Sequence, residues 1–399
     1  MTAARISERV SQLRPTAVNR VLDEVRQLQA AGKKLVSLMR GQPDAPTAPH
    51  IIEAANAALR AGRTGYPDNQ GEPKLREAVA VKLARDNGLR YDPGTEVLVT
   101  DGATQGIAVA LGTLLQPSDD VLVPDPIYDA YLSPISLWGG RAVSVKSVIR
   151  DGRFTFDRAA LEAAWTSQSK VLLLNSPWNP VGTVLTRAEL QAVVDFATAH
   201  DLLILSDEIY EALVYDGRQH ISPAALSEDA RARTILINSL SKTYSMTGWR
   251  VGYCAGPAEI IRAMLLLLQQ ASRGPATFIQ DAAAAALTGD LHHVRAMNAE
   301  YQARRDRVLA ALRGIPGVTA LVPEAGLFVM ADGRGLGRPS NDVRRFLLHE
   351  AGVVVIHGAA YGPGGEGTLR VSFAAGGSTL DEGLERLRGG LRLLSERAP

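Results

Sequence analysis

Lys242 follows directly on the apolar run Thr234–Ser239, stands among the hydroxyls of Ser239 and Ser241, and has an arginine, Arg250, eight residues further on. A lysine at the end of a buried strand must be desolvated or paired, which lowers its pKa and suits it to imine chemistry. Hydroxyls together with a guanidinium suit a phosphate dianion. Taken alone, a surface lysine is the better reading of this segment. Asp207 closes a second apolar run, Leu202–Asp207, in Ser-Asp207-Glu-Ile-Tyr210. A buried carboxylate needs a partner. A pyridinium nitrogen would provide one, and the carboxylate would keep such a ring protonated as an electron sink. The plain alternative is a helix N-cap.

Two further segments carry weaker signals. In Thr100-Asp-Gly102-Ala103-Thr104-Gln a strand gives way to a helix ending near Leu115, and free N–H groups at a helix start bind phosphate. Most such junctions bind nothing. In Asn175-Ser-Pro177-Trp-Asn179-Pro180-Val-Gly182 two prolines stiffen a loop that aims the Asn179 amide into a cleft, or simply make a turn. Gly362-Pro-Gly364-Gly-Glu-Gly367 matches G-x-G-x-x-G but precedes a strand rather than opening a helix, so the dinucleotide-binding context is missing. No Walker A, H-E-x-x-H or G-x-S-x-G motif occurs, and the seven histidines show no metal spacing.

These residues need elements to position them. Between about residues 96 and 255, short apolar segments alternate with helical patterns such as Arg187–His200. The expected strands are Glu96–Thr100, Asp120–Pro124, Arg141–Val145, Lys170–Asn175, Leu202–Asp207, Thr234–Ser239 and Arg250–Ala255. Several are apolar nearly throughout, as strands covered on both faces tend to be. The alternation predicts an α/β fold with a mainly parallel, seven-stranded sheet. Past residue 257 the pattern becomes α+β. Helices are expected over Pro257–Ala271, Pro275–Leu287, Leu291–Arg313, Asn341–Ala351 and Leu380–Ser395, and strands over Leu327–Ala331, Val353–Ile356 and Thr368–Phe373. A helix Val18–Ala31 and a strand Lys34–Arg40 precede them. The expected division is an N-terminal arm with part of a small domain (1–45), a large domain (46–285) and a small C-terminal domain (286–399).

Together the motifs resemble the class I/II aminotransferases, the aspartate aminotransferase family of fold-type I. The resemblance is carried by Gly41-x-Pro-Asp44, Gly-Tyr66 before Gly71, Ser-Asp-Glu-Ile-Tyr, Asn-Ser-Pro-x-Asn-Pro-x-Gly and Ser-Leu-Ser-Lys-x-x-x-Met-Thr-Gly-Trp-Arg-Val-Gly. It runs in order from about residue 6 to 390. It implies pyridoxal 5′-phosphate as cofactor. Lys242 would hold the internal aldimine and shuttle the proton between Cα and the cofactor's C4′. Asp207 would pair with the pyridine nitrogen, Tyr210 and Asn179 would bind the phenolic oxygen, and Tyr128 would stack on the ring. Gly102, Ala103, Thr104, Ser239, Ser241 and Arg250 would form the phosphate site, joined by Tyr66 from the partner subunit of a homodimer. Arg370 would clamp the substrate α-carboxylate, with Gly41 and Asn179 beside it. The implied reaction moves an amino group between an L-amino acid and a 2-oxo acid through pyridoxamine phosphate. A β-lyase or decarboxylase on the same scaffold is the alternative, and a sensor domain of a transcription regulator a more distant one.

Three positions depart from the pattern of aspartate-using members: Ala45 replaces an aromatic residue, Trp178 a commonly polar one, and Tyr128 a tryptophan. Side-chain specificity is therefore open, with a neutral or bulky donor expected to outrank aspartate. Composition narrows the classes further. With 43 basic and 42 acidic residues the formal net charge is +1, which gives no sign of a nucleic-acid or membrane-surface partner. A single cysteine, Cys254, permits no intrachain disulfide and is read as a buried strand residue. No stretch resembles a signal peptide or a membrane span, so a cytoplasmic location is the default expectation.

Overall fold

The path of the chain is set by where its β-branched and aliphatic runs fall. The computed structural model describes residues 6–11, 13 and 15–397. A helix, Ala17–Ala30, leads into a two-residue strand, β1 (Val36–Ser37). There follow β2 (Val97–Thr100), β3 (Asp120–Asp125), β4 (Arg141–Lys146), a hairpin of β5 (Val148–Arg150) and β6 (Arg153–Thr155), β7 (Ser169–Asn175), β8 (Leu203–Asp207), β9 (Thr234–Ser239) and β10 (Gly252–Ala255). Seven of these form the central sheet in the order β2-β10-β9-β8-β7-β3-β4. All neighbours are parallel except β10, which runs antiparallel to both β2 and β9.

Period-two alternation sends successive residues of one strand to opposite cores. Leu98, Val121, Val123, Ile235 and Ile237 pack under the helices Ala103–Leu114 and Ala258–Leu268. Val97, Val99, Leu236 and Tyr253 pack on the other side, with Pro73–Asn87 and Thr277–Thr288. Both faces are covered, which is why β2, β3, β9 and β10 are buried at every position. Cys254 lies in this interior, and burial pushes its thiol pKa up. Because β3, β7, β8 and β9 run the same way, their C-terminal residues Asp125, Asn175, Asp207 and Ser239 emerge at one edge. That edge is where ligands bind in open α/β sheets.

The rest of the chain adds β11 (Thr319–Leu321), β12 (Phe328–Asp332), β13 (Val353–Val354), β14 (Ile356–His357) and β15 (Thr368–Ser372). An antiparallel sheet β11-β12-β15-β14 packs its apolar face under helices His292–Leu312 and Gly377–Glu396. β1 joins this half of the molecule by pairing in parallel with β13. No helix among the described residues is long and apolar enough to cross a membrane.

Several boundaries differ from the sequence reading. The expected strand Val353–Ile356 is broken in two: β13 pairs with β1, while β14 pairs with β15. The expected strand Lys34–Arg40 shortens to Val36–Ser37 because only that stretch finds a partner edge. Arg250 is not in β10. It follows a 3₁₀ turn, Thr247–Trp249, with a left-handed φ of 54°. The helix expected over Asn341–Ala351 is α-helical for Ser340–Phe346 and then widens into a π-turn that stops at Gly352. Among the helices that the sequence reading did not name are Pro49–Arg60 and Pro73–Asn87. Both carry the proline-first signature, and the second also ends on a left-handed glycine, Gly88 at φ 67°.

Candidate active site

At the C-terminal edge of the central sheet lies a cavity of about 710 Å³, within the usual size of a cofactor or small-molecule site. Lys242 reaches it from the short helix Leu240–Thr243 that follows β9, and Asp207 from the end of β8. Lys242 donates from Nζ to the Gly41 carbonyl at 2.6 Å. Burial, reinforced by the Arg370 guanidinium, lowers its pKa to about 8 against the pull of Asp207. Burial likewise raises Asp207, to about 6, although its carboxylate accepts from the Tyr131 hydroxyl and from the Ile209 N–H at 3.2 Å. A desolvated amine thus stands near a desolvated carboxylate, and neither is joined to the other in an ion pair among the described residues.

Next to them is a set of donors. The helix Ala103–Leu114 begins at Gly102 with no side-chain cap, so its first-turn N–H groups have no acceptor within the helix. Gly102 has φ 84°, and a Cβ there would come within 2.7 Å of Arg250 Nη2. The glycine therefore lets the guanidinium lie against the helix start, where Arg250 donates to the carbonyls of Asp101 and Thr247. Ser239 Oγ lies 2.8 Å from Ser241 Oγ and 3.0 Å from the Val251 carbonyl. Since Ser239 spends its proton on those acceptors, Ser241 keeps a hydroxyl proton for something else. Free N–H groups, a hydroxyl and a guanidinium are donors of the kind that suit a phosphate.

Across the cavity Arg370, on β15, donates from Nη2 to the Met39 carbonyl at 2.8 Å. Its guanidinium lies 3.9 Å from the centroid of Phe328 and 4.8 Å from that of Tyr361, and Nε has no partner. Two aromatic faces fix the plane of the fork while leaving it donors to spare. The Asn179 loop holds cis peptide bonds at Ser176–Pro177 and Asn179–Pro180. Asn175 braces it, accepting from Asn179 N–H at 2.7 Å and donating to the Asp207 carbonyl at 3.0 Å. Asn179 Oδ1 is buried without a partner.

The cavity thus brings together Gly41, Ala103, Thr104, Tyr128, Asn179, Asp207, Tyr210, Ser239, Ser241, Lys242, Arg250 and Arg370. Gly102 supports it from behind. The profile of the aminotransferase class I and II family matches residues 33–387. The chain is 36% identical over 384 residues to aromatic-amino-acid aminotransferase 2 of Thermococcus litoralis, covering 96% of this chain and 97% of that one. It is 35% identical over 399 residues to the aspartate aminotransferase of Geobacillus stearothermophilus, covering 99% and 100%. The structure of Thermus thermophilus aspartate aminotransferase with maleate matches at a TM-score of 0.90 and 35% identity, covering 96% and 99%. The chain belongs to the class I and II aminotransferases. Its fold is that of fold-type I.

Three other positions that the sequence singled out in this aminotransferase lie outside this cavity. Tyr66 is outside the cavity, 90% exposed, with the Arg273 guanidinium 5.7 Å from its ring centroid. Trp178 turns away from the site. Its Nε1 donates to the Pro126 carbonyl at 2.7 Å, and its ring packs on Phe156 in a second core. Ala45 lines an adjoining cavity of about 630 Å³ that shares Arg40, Gln42 and Thr247 with the first. Sequence reading missed Asp129, a buried carboxylate in the wall whose Oδ2 has no partner. It also missed Arg26 and Arg40, and the stretch from the cap Thr16 to Leu22 at the start of the helix Ala17–Ala30, which lines one side. Behind Asp207, the ligand atoms of Glu208, Glu211 and His220 come within 4.8 Å of one another. Those carboxylates are already used: His220, Ser206 and Ser222 bond to Glu208, and Lys82, Asn87 and Asn238 to Glu211.

The depressed Lys242 pKa has a thermodynamic consequence. Falling from 10.5 to about 8 on folding, it disfavours the folded state wherever the amine is charged in both states, that is below pH 8. The penalty disappears as pH rises from 8 to 10.5. Lys242→Met should therefore stabilise the cofactor-free protein at pH 7 by up to about 3 kcal/mol, less the cost of leaving the Gly41 carbonyl unpaired. The wild type should regain ground steadily toward pH 10.5. Urea unfolding at a series of pH values measures this, and a pH-independent difference contradicts it.

Proposed function

We propose that this aminotransferase holds pyridoxal 5′-phosphate in the cavity and transfers an amino group between an L-amino acid and a 2-oxo acid. The observation that carries the reading is the Lys242 amine, buried and lowered to about 8, beside the buried Asp207 carboxylate and a set of phosphate donors. The fit is supported by polar groups left open: the Ser241 hydroxyl proton and the first-turn N–H groups at Gly102. When bound, the cofactor supplies an electrophilic carbon and a ring that takes up negative charge from the substrate's Cα.

The protein's own residues do the rest. At pH 7 an amine of pKa about 8 is neutral in roughly a tenth of molecules, far more than an ordinary lysine. Lys242 Nζ would thus be the base that takes the Cα proton and delivers it to the cofactor's C4′ position, two atoms along. Asp207 holds a proton at the ring nitrogen. Tyr210 and Asn179 bond the phenolic oxygen, and Tyr128 covers the ring. Ala103, Thr104, Ser239, Ser241 and Arg250 take the phosphate, with Gly102 keeping the approach open. Arg370 binds the α-carboxylate with Gly41 alongside. Tyr66, exposed in one protomer, completes the phosphate site of the other in a homodimer.

The cavity wall contains the buried Asp129, whose Oδ2 has no partner, and a second acid beside it would add to the burial that already disfavours its charge. We read the preferred donor as neutral or bulky. Arg40, at the junction of the two cavities, is the cation that would otherwise serve a distal carboxylate.

Four outcomes are expected. Borohydride treatment of the yellow holoenzyme should fix the cofactor on Lys242, seen by peptide mapping, and Lys242→Ala should lose both the label and proton transfer at Cα. A label on another lysine contradicts the assignment. In a donor panel, Arg370→Lys should raise KM for every amino and oxo acid by roughly tenfold or more, since an ammonium cannot make two parallel bonds to a carboxylate. In the same panel, aspartate leading the neutral donors by more than about tenfold in kcat/KM would assign Arg40 to a distal carboxylate instead. Finally, mixing Tyr66→Phe with Lys242→Ala chains should restore one intact site per heterodimer. A fully active monomer in sedimentation would refute the shared site.

A further inference from the structure

Tyr131 lies three residues beyond the ring-covering Tyr128 and is almost wholly buried, at 2% exposure. Its hydroxyl donates to Asp207 Oδ2, across 76 positions of sequence. Its ring meets Tyr128 edge-on, with centroids 5.3 Å apart and planes at 90°. The other carboxylate oxygen of Asp207 accepts the Ile209 N–H at 3.2 Å. Each oxygen therefore has one protein donor, and the carboxylate is held in one plane. One aromatic residue thus touches both a side chain proposed to cover the cofactor ring and the one proposed to face its nitrogen.

We propose that Tyr131 is a positioning residue for amino transfer: its hydroxyl fixes the orientation and basicity of Asp207, and its ring seats Tyr128. This rests on the reading that pyridoxal phosphate occupies the cavity. The groups acting on Asp207 are Tyr131, the Ile209 N–H, Lys242 and Glu208. Of these, Tyr131 is the only neutral side-chain donor. Its bond favours the anion. Without it Asp207 becomes more basic and free to rotate, and draws the shared proton away from the ring nitrogen it faces. A ring nitrogen carrying less positive charge is a weaker electron sink, so Cα deprotonation slows while carboxylate binding at Arg370 is untouched.

Tyr131→Phe removes one oxygen and keeps the ring, so the edge-on packing against Tyr128 survives. In the holoenzyme, kcat of the half-reaction should fall at least about tenfold, which is the size of a lost hydrogen bond to a charged group, while KM stays within about threefold. The visible pH titration of the Lys242-linked cofactor should shift upward by about half a unit or more. In an Asp207→Asn background the same substitution should change kcat less than about twofold, because its route of action is gone. A second readout needs no cofactor. In the full-length cofactor-free chain with carbonyl-¹³C aspartate, the Asp207 signal, identified by its loss in Asp207→Asn, should titrate higher in Tyr131→Phe than in wild type. An unmoved Asp207 midpoint overturns the proposal whatever the cavity binds. A moved midpoint with unchanged kcat and unchanged spectrum overturns the catalytic part. Failure of borohydride to label Lys242 in the wild type would instead refute the cofactor reading, leaving the ¹³C titration to decide whether Tyr131 sets Asp207.

Discussion

Three charged groups share one cavity largely out of water: the Lys242 amine, the Asp207 carboxylate and the Arg370 guanidinium. Taking each out of solvent costs several kcal/mol. Mutual pairing would offset that and also silence them. The fold instead gives each a neutral dipole. The Gly41 carbonyl takes the amine, the Met39 carbonyl takes the guanidinium, and the Tyr131 hydroxyl with the Ile209 N–H take the carboxylate. Every charge is held in place with capacity to spare. The residual strain shows as an amine pushed down and a carboxylate pushed up, and a ligand bearing complementary groups relieves both.

Two of those dipoles come from one short piece of backbone, residues 39–41, which belongs to neither sheet. It is held by the residues just before it. β1 pairs with β13, and the Ser372 N–H of β15 donates to the Leu38 carbonyl at 2.8 Å. The arm thereby runs beside Arg370 on one side and Lys242 on the other. The β1 pairing, only two residues long, is decisive for the site because it sets the position of both carbonyls.

Much of this was legible because the chemistry sits at strand ends, and strand ends are where apolar runs stop. Asp207 and Ser239 each close such a run, with Lys242 three residues past the second, and the parallel connection brings both to one edge. The family resemblance added residues such as Arg370, whose own surroundings say little. What stayed hidden lacks a local pattern. Tyr131 and Asp129 lie on a short turn, and only the tertiary structure shows that both line the cavity and that Tyr131 reaches Asp207. Trp178 misled for a similar reason. Its position beside Asn179 suggested the pocket, but adjacent residues point apart, and the indole found a carbonyl acceptor and an apolar core. Arg250 was read as part of a strand because its neighbours are apolar, whereas its left-handed backbone turns it back onto the start of the helix at Ala103.

Gly41 shows how tightly these features are interlocked. A Cβ there would come within 2.7 Å of the Phe328 ring, and that ring lies 3.9 Å from the Arg370 guanidinium. A side chain at 41 would thus push on the face that orients the arginine, while shifting the carbonyl that holds Lys242. The only way to keep both contacts is to leave the position bare. When Lys242 gives up that carbonyl, the glycine carbonyl, unobstructed by its own side chain, can turn to another donor. The amine is held by the same backbone that carries the acceptor for Arg370, so whatever displaces Lys242 acts on the segment that holds Arg370.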